Sequence, residues 1–313
     1  MSNSKLAFVF PGQGAQSVGM GRDLFENSAA ARAVFAEVDA ACGFSVSEMC
    51  FNGPEESLKE TKNTQPALFA VSVAALAACQ EVGINPSASA GHSIGEYAAL
   101  VAAGALSVTA GARLVKARGE AMAEAAAARP GTMAAVLGLE AAVVAEVCRQ
   151  VNHVGVAVMA NLNSPGQIVI SGEVNAVNEA SLLLKEKGAK RVLPLAVSGA
   201  FHSPLMEPAV FIMKGVLNLT AISDPVLPII ANVTANYETT GEEVKANLAS
   251  QVAGPVRWVE TIERLAQDGY GTFIECGPGN VLAGLIKRIA PEAKTYSVGD
   301  MTSLQAAREG LLV

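Results

Sequence analysis

Ser87-Ala-Ser-Ala-Gly91-His92-Ser93-Ile94-Gly95-Glu96 is the stretch on which the reading of this chain turns. Ser87 to Ala90 is a weak strand by propensity, placed as one mainly by the Gly-rich turn and helix after it. Gly91 to Gly95 is a G-x-S-x-G pattern, the spacing of a sharp turn from strand into helix. Its glycines omit side chains where the turn is crowded, and the Ser93 hydroxyl is held at the apex. The helix begins at the turn, so its free N–H groups and positive dipole end favour an oxyanion nearby. By itself the pattern also fits a Gly-rich turn with no catalytic role.

Upstream, Leu6 to Phe10 is a short apolar run ended by Pro11-Gly12 and reads as a buried strand of a mostly parallel sheet. Helical patterns run from about Asp23 to Ala41 and from about Gln65 to Glu81. Downstream, Thr109 to Ala128 is helical and stops at Pro130-Gly131. The patterning then changes. Strands at Thr132–Leu139, Val156–Ala160, Gln167–Ser171 and Arg191–Val197 alternate with helices at Ala141–Val151 and Val174–Lys187. That order is β-α-β-β-α-β, the split ferredoxin-like unit. Beyond it come an edge-like strand over Asp224–Val233, a helix at Val256–Gln267, a strand at Gly271–Cys276 and a helix near Val281–Ile289. The fold expected is α/β: a large, α/β-hydrolase-like domain with a mostly parallel sheet, from 1–128 and 197–313, with a ferredoxin-like subdomain inserted at 129–196.

The bulk numbers agree with such a core. Of 313 residues 51% are hydrophobic, which argues against disorder. The formal charge of −7 is poorly suited to non-specific nucleic-acid binding, which needs a positive field. The start, Met1 to Lys5, is polar, and no apolar run reaches membrane length, so the expectation is a cytoplasmic protein with no membrane partner. The five cysteines form no C-x-x-C pair and read as buried reduced thiols. Three histidines without ligand spacing make a structural zinc improbable.

A nucleophilic serine needs a base. His153 lies between a predicted helix and strand and reads as a surface residue. His92 adjoins Ser93, but neighbours on a tight turn point apart. His202, in Ser198-Gly-Ala-Phe-His-Ser-Pro204, follows a predicted strand, where sites of open α/β sheets form. No Asp lies between Ser93 and His202, and the glutamates nearest upstream, Glu173, Glu179 and Glu186, belong to the insert. A carbonyl or amide oxygen is therefore the expected orienter of the ring.

Arg118 is the second informative residue. At about 100° per residue, Leu114, Ala117, Ala121, Met122 and Ala125 form the apolar stripe of its helix, and Arg118 points with them. Arg113, Lys116, Glu120 and Glu124 form the polar face. A cation on the stripe is costly unless it meets an anion, either a structural carboxylate or a substrate carboxylate held bidentately. Pro11-Gly-Gln-Gly-Ala-Gln16 lacks the third glycine of a dinucleotide loop, since Ser17 stands there. It could offer amides to an oxyanion, or be a tight turn only.

Together these stretches resemble the malonyl-CoA:acyl-carrier-protein transacylases and the related acyltransferase domains of polyketide synthases. The landmarks occur in order from Phe8 to about Ile289: Phe10-Pro-Gly-Gln-Gly-Ala-Gln16, Asn63-Thr-Gln-Pro-Ala-Leu68, Gly91-His-Ser-Ile-Gly-Glu96, Lys116-Ala-Arg-Gly119, Asn161-Leu-Asn-Ser-Pro165, Gly199-Ala-Phe-His-Ser203 and Glu275-Cys-Gly-Pro-Gly279. The resemblance implies Ser93 as nucleophile, His202 as base, the amides of Gln13 and Ile94 as oxyanion hole, and Arg118 as partner of a malonyl carboxylate. Gln65, His92 and Asn163 would line the site. Phe201 would narrow it against branched acyl groups, and the Gln251 main-chain oxygen would orient the histidine. It implies malonyl-CoA and a phosphopantetheinylated acyl carrier protein as substrates and no metal or redox cofactor. An acidic carrier facing an acidic enzyme needs a local positive patch, for which Lys185, Lys187, Lys190 and Arg191, or Lys287 and Arg288, are candidates. The rival readings are a serine esterase or thioesterase of related fold, and a non-catalytic member of the family.

Overall fold

The structure, a computed structural model, describes residues 5–312. The expectation of a polar start therefore lies, apart from Lys5, outside the described residues, as does Val313. Strand β1 (Lys5–Phe10) lies in the middle of a wholly parallel sheet. Its neighbours are β2 (Ala88–Gly91) on one side and, on the other, a strand at Tyr270–Cys276. Ala7, Phe8, Val9 and Phe10 are all fully buried because helices cover both faces. Phe8 and Phe10 pack with the helices Thr61–Glu81 and Val108–Ala128. Ala7 and Val9 face Trp258, Ile262 and Leu285.

The segment between is a separate antiparallel sheet of β3 (Gly131–Leu137), β4 (Ala157–Ser164), β5 (Gln167–Glu173) and β6 (Arg191–Pro194), in the order β4-β5-β3-β6. Helices Ala141–Gln150 and Val174–Glu186 cover one face, with Val144, Val177 and Leu184 against Val136 and Ile170. Met133, Ala160 and Val169 turn the other way and join the main core. The expected βαββαβ order is the order found.

The parallel sheet is completed by β7 (Ile229–Ile230), β8 (Tyr270–Cys276) and β9 (Lys294–Val298), in the order β7-β2-β1-β8-β9. The strand expected over Asp224–Val233 shrinks to two residues, for Pro225 and Pro228 have no N–H to give a ladder. β6 stops at Pro194 rather than Val197. The helix expected over Asp23–Ala41 is broken at Ser28, which is extended and caps the helix Ala29–Cys42 through Ala31 N–H. Among the described residues no helix is long and apolar enough to cross a membrane.

Candidate active site

The C-terminal ends of β1 and β2 meet at the turn Gly91–Gly95, and its glycines are there for want of room. A Cβ on Gly91 would come 2.0 Å from the Gly95 carbonyl carbon, and one on Gly95 2.1 Å from the Phe10 oxygen. The helix Gly95–Ala102 thus starts against β1 itself. Ser93 is forced into the left-handed region, with φ 53°. Such a conformation costs a non-glycine residue about 1–3 kcal/mol and is found where surrounding structure holds it. Here two side-chain amides do so. Ser93 N–H donates to Asn232 Oδ1 at 2.7 Å, and Asn232 Nδ2 donates to the Gly91 oxygen at 2.6 Å. Gln251 Nε2 donates to the Ser93 oxygen at 2.8 Å.

His202 arrives from the loop after β6, also left-handed, with φ 57°. Gly199 lets that loop press on the helix Val108–Ala128, since a Cβ there would lie 2.5 Å from the Ala126 Cβ. His202 Nε2 is 2.7 Å from Ser93 Oγ. On the other side of the ring Nδ1 lies 2.9 Å from the Gln251 oxygen and 3.0 Å from the Gly254 oxygen. Carbonyls only accept, so Nδ1 carries the hydrogen and Nε2 is the free base. No acid is needed for that tautomer. Burial, with the Arg118 charge second, pushes His202 down to about 3. The ring is neutral at physiological pH.

Arg118 is 1% exposed. Nη1 donates to Gln65 Oε1 at 2.8 Å, and Nη2 donates to Gln251 Oε1 at 2.8 Å and to Ser93 Oγ at 3.2 Å. Its guanidinium carbon stands 5.9 Å from the centre of the Tyr97 ring. All of these partners are neutral. Among the described residues Arg118 forms no ion pair and its Nε has no partner. No carboxylate touches Arg118 among the described residues; Glu96 lies one side chain behind, on the Gln251 amide.

Ser93, His202 and Arg118 line one cavity of about 100 Å³ together with Gln13, Ile94 and Phe201. Met133, Leu195 and Val197, from the antiparallel sheet and the loop after it, close its far wall. Gln65 and Gln251 sit behind it, holding Arg118. His92 lines the same cavity, and its Nε2 lies 2.8 Å from Asn163 Oδ1. That pair borders a second cavity of about 180 Å³, also touched by Gln13, Gln167 and Leu282. Of the two basic clusters, Arg288 donates to Gln167 Oε1 at 2.8 Å beside that cavity, while the stem of Lys190 packs over Gly138.

Sequence reasoning missed Asn232 and gave Glu96 no part. Glu96 Oε2 accepts from Gln251 Nε2 at 2.7 Å and from Asn232 N–H at 3.2 Å. Asn232 had no local signal, for it lies just past a two-residue edge strand. The helix Gly241–Gln251, which delivers Gln251, had one: Thr240 and Glu243 form a capping box.

A family model described as the acyl transferase domain matches residues 7–306. The malonyl CoA-acyl carrier protein transacylase of Bacillus subtilis strain 168 is 47% identical over 309 residues, covering 98% of both chains. The structure of an acyl-carrier-protein-S-malonyltransferase from Bartonella henselae superposes with a TM-score of 0.94 at 46% identity, covering 99% of this chain and 100% of that one. A malonyl-transacylase solved in complex with its type II polyketide acyl-carrier protein matches with a TM-score of 0.94 at 41% identity, covering 98% of this chain and 100% of that one. By sequence and by fold, over nearly its whole length, this chain belongs to the acyl transferase domain family, among the malonyl CoA-acyl carrier protein transacylases.

Proposed function

We propose that this protein moves a malonyl group from malonyl-CoA to the phosphopantetheine thiol of an acyl carrier protein, through an ester on Ser93, for fatty-acid or polyketide synthesis in the cytoplasm. The observation that carries the malonyl reading is Arg118. It is a buried cation with neutral partners only, and one of its nitrogens reaches the hydroxyl that would bear the acyl group. A carboxylate two bonds beyond an acyl carbonyl supplies the missing counter-charge, and the planar fork of an arginine suits it. The malonyl transacylases to which the chain is similar, one solved on its carrier protein, support the same reading.

In the first half-reaction Ser93 Oγ attacks the thioester carbon while its proton passes to His202 Nε2. The oxyanion forms beside the amides of Gln13 and Ile94. The C–S bond then breaks, and the sulfur takes the proton from His202 as CoA leaves. In the second half the carrier thiol gives its proton to His202 and attacks the ester. The C–O bond breaks and Ser93 recovers its proton. Binding of malonyl also neutralises the charge that, after burial, holds His202 down. The substrate thereby makes its own base stronger. The sequence asks for no metal or redox group, since every step is an acyl or proton transfer.

The test is to load the protein with malonyl-CoA, remove free CoA, and add carrier. Malonyl-carrier should form much faster than free malonate. Malonate release at one rate with and without carrier would make the protein a hydrolase instead.

A further inference from the structure

Gln251 meets each member of the catalytic group from behind. Its main-chain oxygen accepts from His202, its Oε1 accepts from Arg118, and its Nε2 donates to the Ser93 oxygen. A primary amide turns over with little change of shape. Turned over, this one would aim N–H groups at the donors of Arg118 and an oxygen at the Ser93 carbonyl. Glu96 adds a third contact that holds the orientation seen, because its Oε2 accepts from Gln251 Nε2 at 2.7 Å. The same oxygen accepts the N–H of Asn232, whose side chain brackets Gly91 to Ser93. The clamps on the nucleophile turn and on the cation therefore share one oxygen atom.

Glu96 is fully buried, in the first turn of the helix Gly95–Ala102. Among the described residues it forms no ion pair, and its Oε1 has no protein partner. A carboxylate ion buried with an idle oxygen is strongly disfavoured, which favours the protonated form. Oε2 already accepts two N–H groups, so Oε1 is the oxygen left for a proton. The charged and titratable neighbours are Glu238 and Arg118, with the Tyr97 hydroxyl nearby. Burial first, then Glu238, pushes Glu96 up to about 8, against the weaker pull of Arg118. Glu238 is itself pushed up by burial.

We propose that Glu96 is a positioning residue that works as an uncharged acceptor: it turns the Gln251 amide oxygen toward Arg118 and leaves the Arg118 charge free for the acyl carboxylate. This deepens the malonyl reading and rests on it. Below the Glu96 transition Arg118 has no rival anion. Above it an ionised Glu96, one amide away, competes with the substrate. The KM for malonyl-CoA should then rise with pH, while that for acetyl-CoA, which carries the same CoA charges, should not.

The experiment measures KM and kcat of self-acylation by both thioesters from neutral pH to well above 8, with the full chain and two variants. For the unaltered protein the malonyl-to-acetyl ratio of KM should climb by about tenfold one unit above the transition. Glu96→Gln keeps an acceptor oxygen but does not titrate. It should stay within about threefold of the parent at neutral pH, against the roughly 100-fold that misplacement costs, and its ratio should be flat. Glu96→Ala frees the amide and should lose malonyl acylation by about 10–100-fold, with acetyl acylation losing less. A flat ratio in the unaltered protein overturns the proposal and needs no variant to fold. So does a Glu96→Gln protein as impaired as Glu96→Ala. A parent chain that accepts no malonyl at any pH instead overturns the malonyl reading itself.

Discussion

Arg118 Nη2 donates to Ser93 Oγ across 3.2 Å, so the buried cation and the proposed nucleophile touch before any substrate arrives. An acyl group built on Ser93 must grow out past that guanidinium. Arg118→Ala should therefore cost malonyl transfer about 2–4 kcal/mol, the scale for losing one partner of a desolvated charge pair. Acetyl transfer should be spared or improved, because acetyl brings no carboxylate to leave unpaired. The measurement is the ratio of malonyl to acetyl kcat/KM. An equal fall in both would make Arg118 a structural group only.

The pH profile should carry the mark of His202. Its ring is pushed down to about 3 in the folded protein, from the usual range near 6.5. The folded state therefore binds fewer protons than the unfolded one between these values. Stability contributed by this group is present above about 6.5 and is lost as pH falls toward 3. Activity follows the same sign. kcat/KM for malonyl-CoA should show no histidine limb near 6.5, and its acid limb should lie at lower pH. A clear inflection near 6.5 that disappears in His202→Ala would contradict the neutral, buried ring described above.

The glycines divide into those that the turn requires and those that it does not. Gly95→Ala places a methyl 2.1 Å from the Phe10 oxygen, a backbone atom that cannot rotate away. It should lower unfolding stability by about 1–3 kcal/mol or more and abolish acylation. Gly284, inside the helix Val281–Ile289, has nothing within 4 Å of the added position. Gly284→Ala should be neutral or stabilising by up to about 1 kcal/mol, with full activity. Urea unfolding of the two variants checks both signs.

What the sequence yielded was whatever is written locally. The period of Leu114 to Ala125 put Arg118 on the buried stripe, and the strand-helix alternation of 129–196 foretold the antiparallel unit. The absence of an acid between Ser93 and His202 pointed to carbonyl oxygens, and Gln251 and Gly254 provide them. What stayed hidden depends on distance in the chain. Asn232 lies 139 residues beyond the Ser93 amide that it accepts from, and Gln251 lies 155 beyond Glu96. No periodicity ties such pairs together. The apolar letters around β7 suggest a longer strand than Pro225 and Pro228 permit. The strand β9 and the helix Met301–Leu311 passed unread, although Asp300 and Ser303 form a capping box there.

Whether Ser93 carries the malonyl group is answered most directly by intact mass measurement after brief incubation with malonyl-CoA, with peptide mapping to place the adduct. One added malonyl mass per chain is expected, on the peptide that contains Ser93, and none in Ser93→Ala. His202→Ala should acylate about 10²–10⁴-fold more slowly, the usual contribution of a positioned general base. An adduct of full size in the Ser93→Ala protein, or one mapped to a buried cysteine such as Cys276, would contradict the assignment of Ser93 as nucleophile.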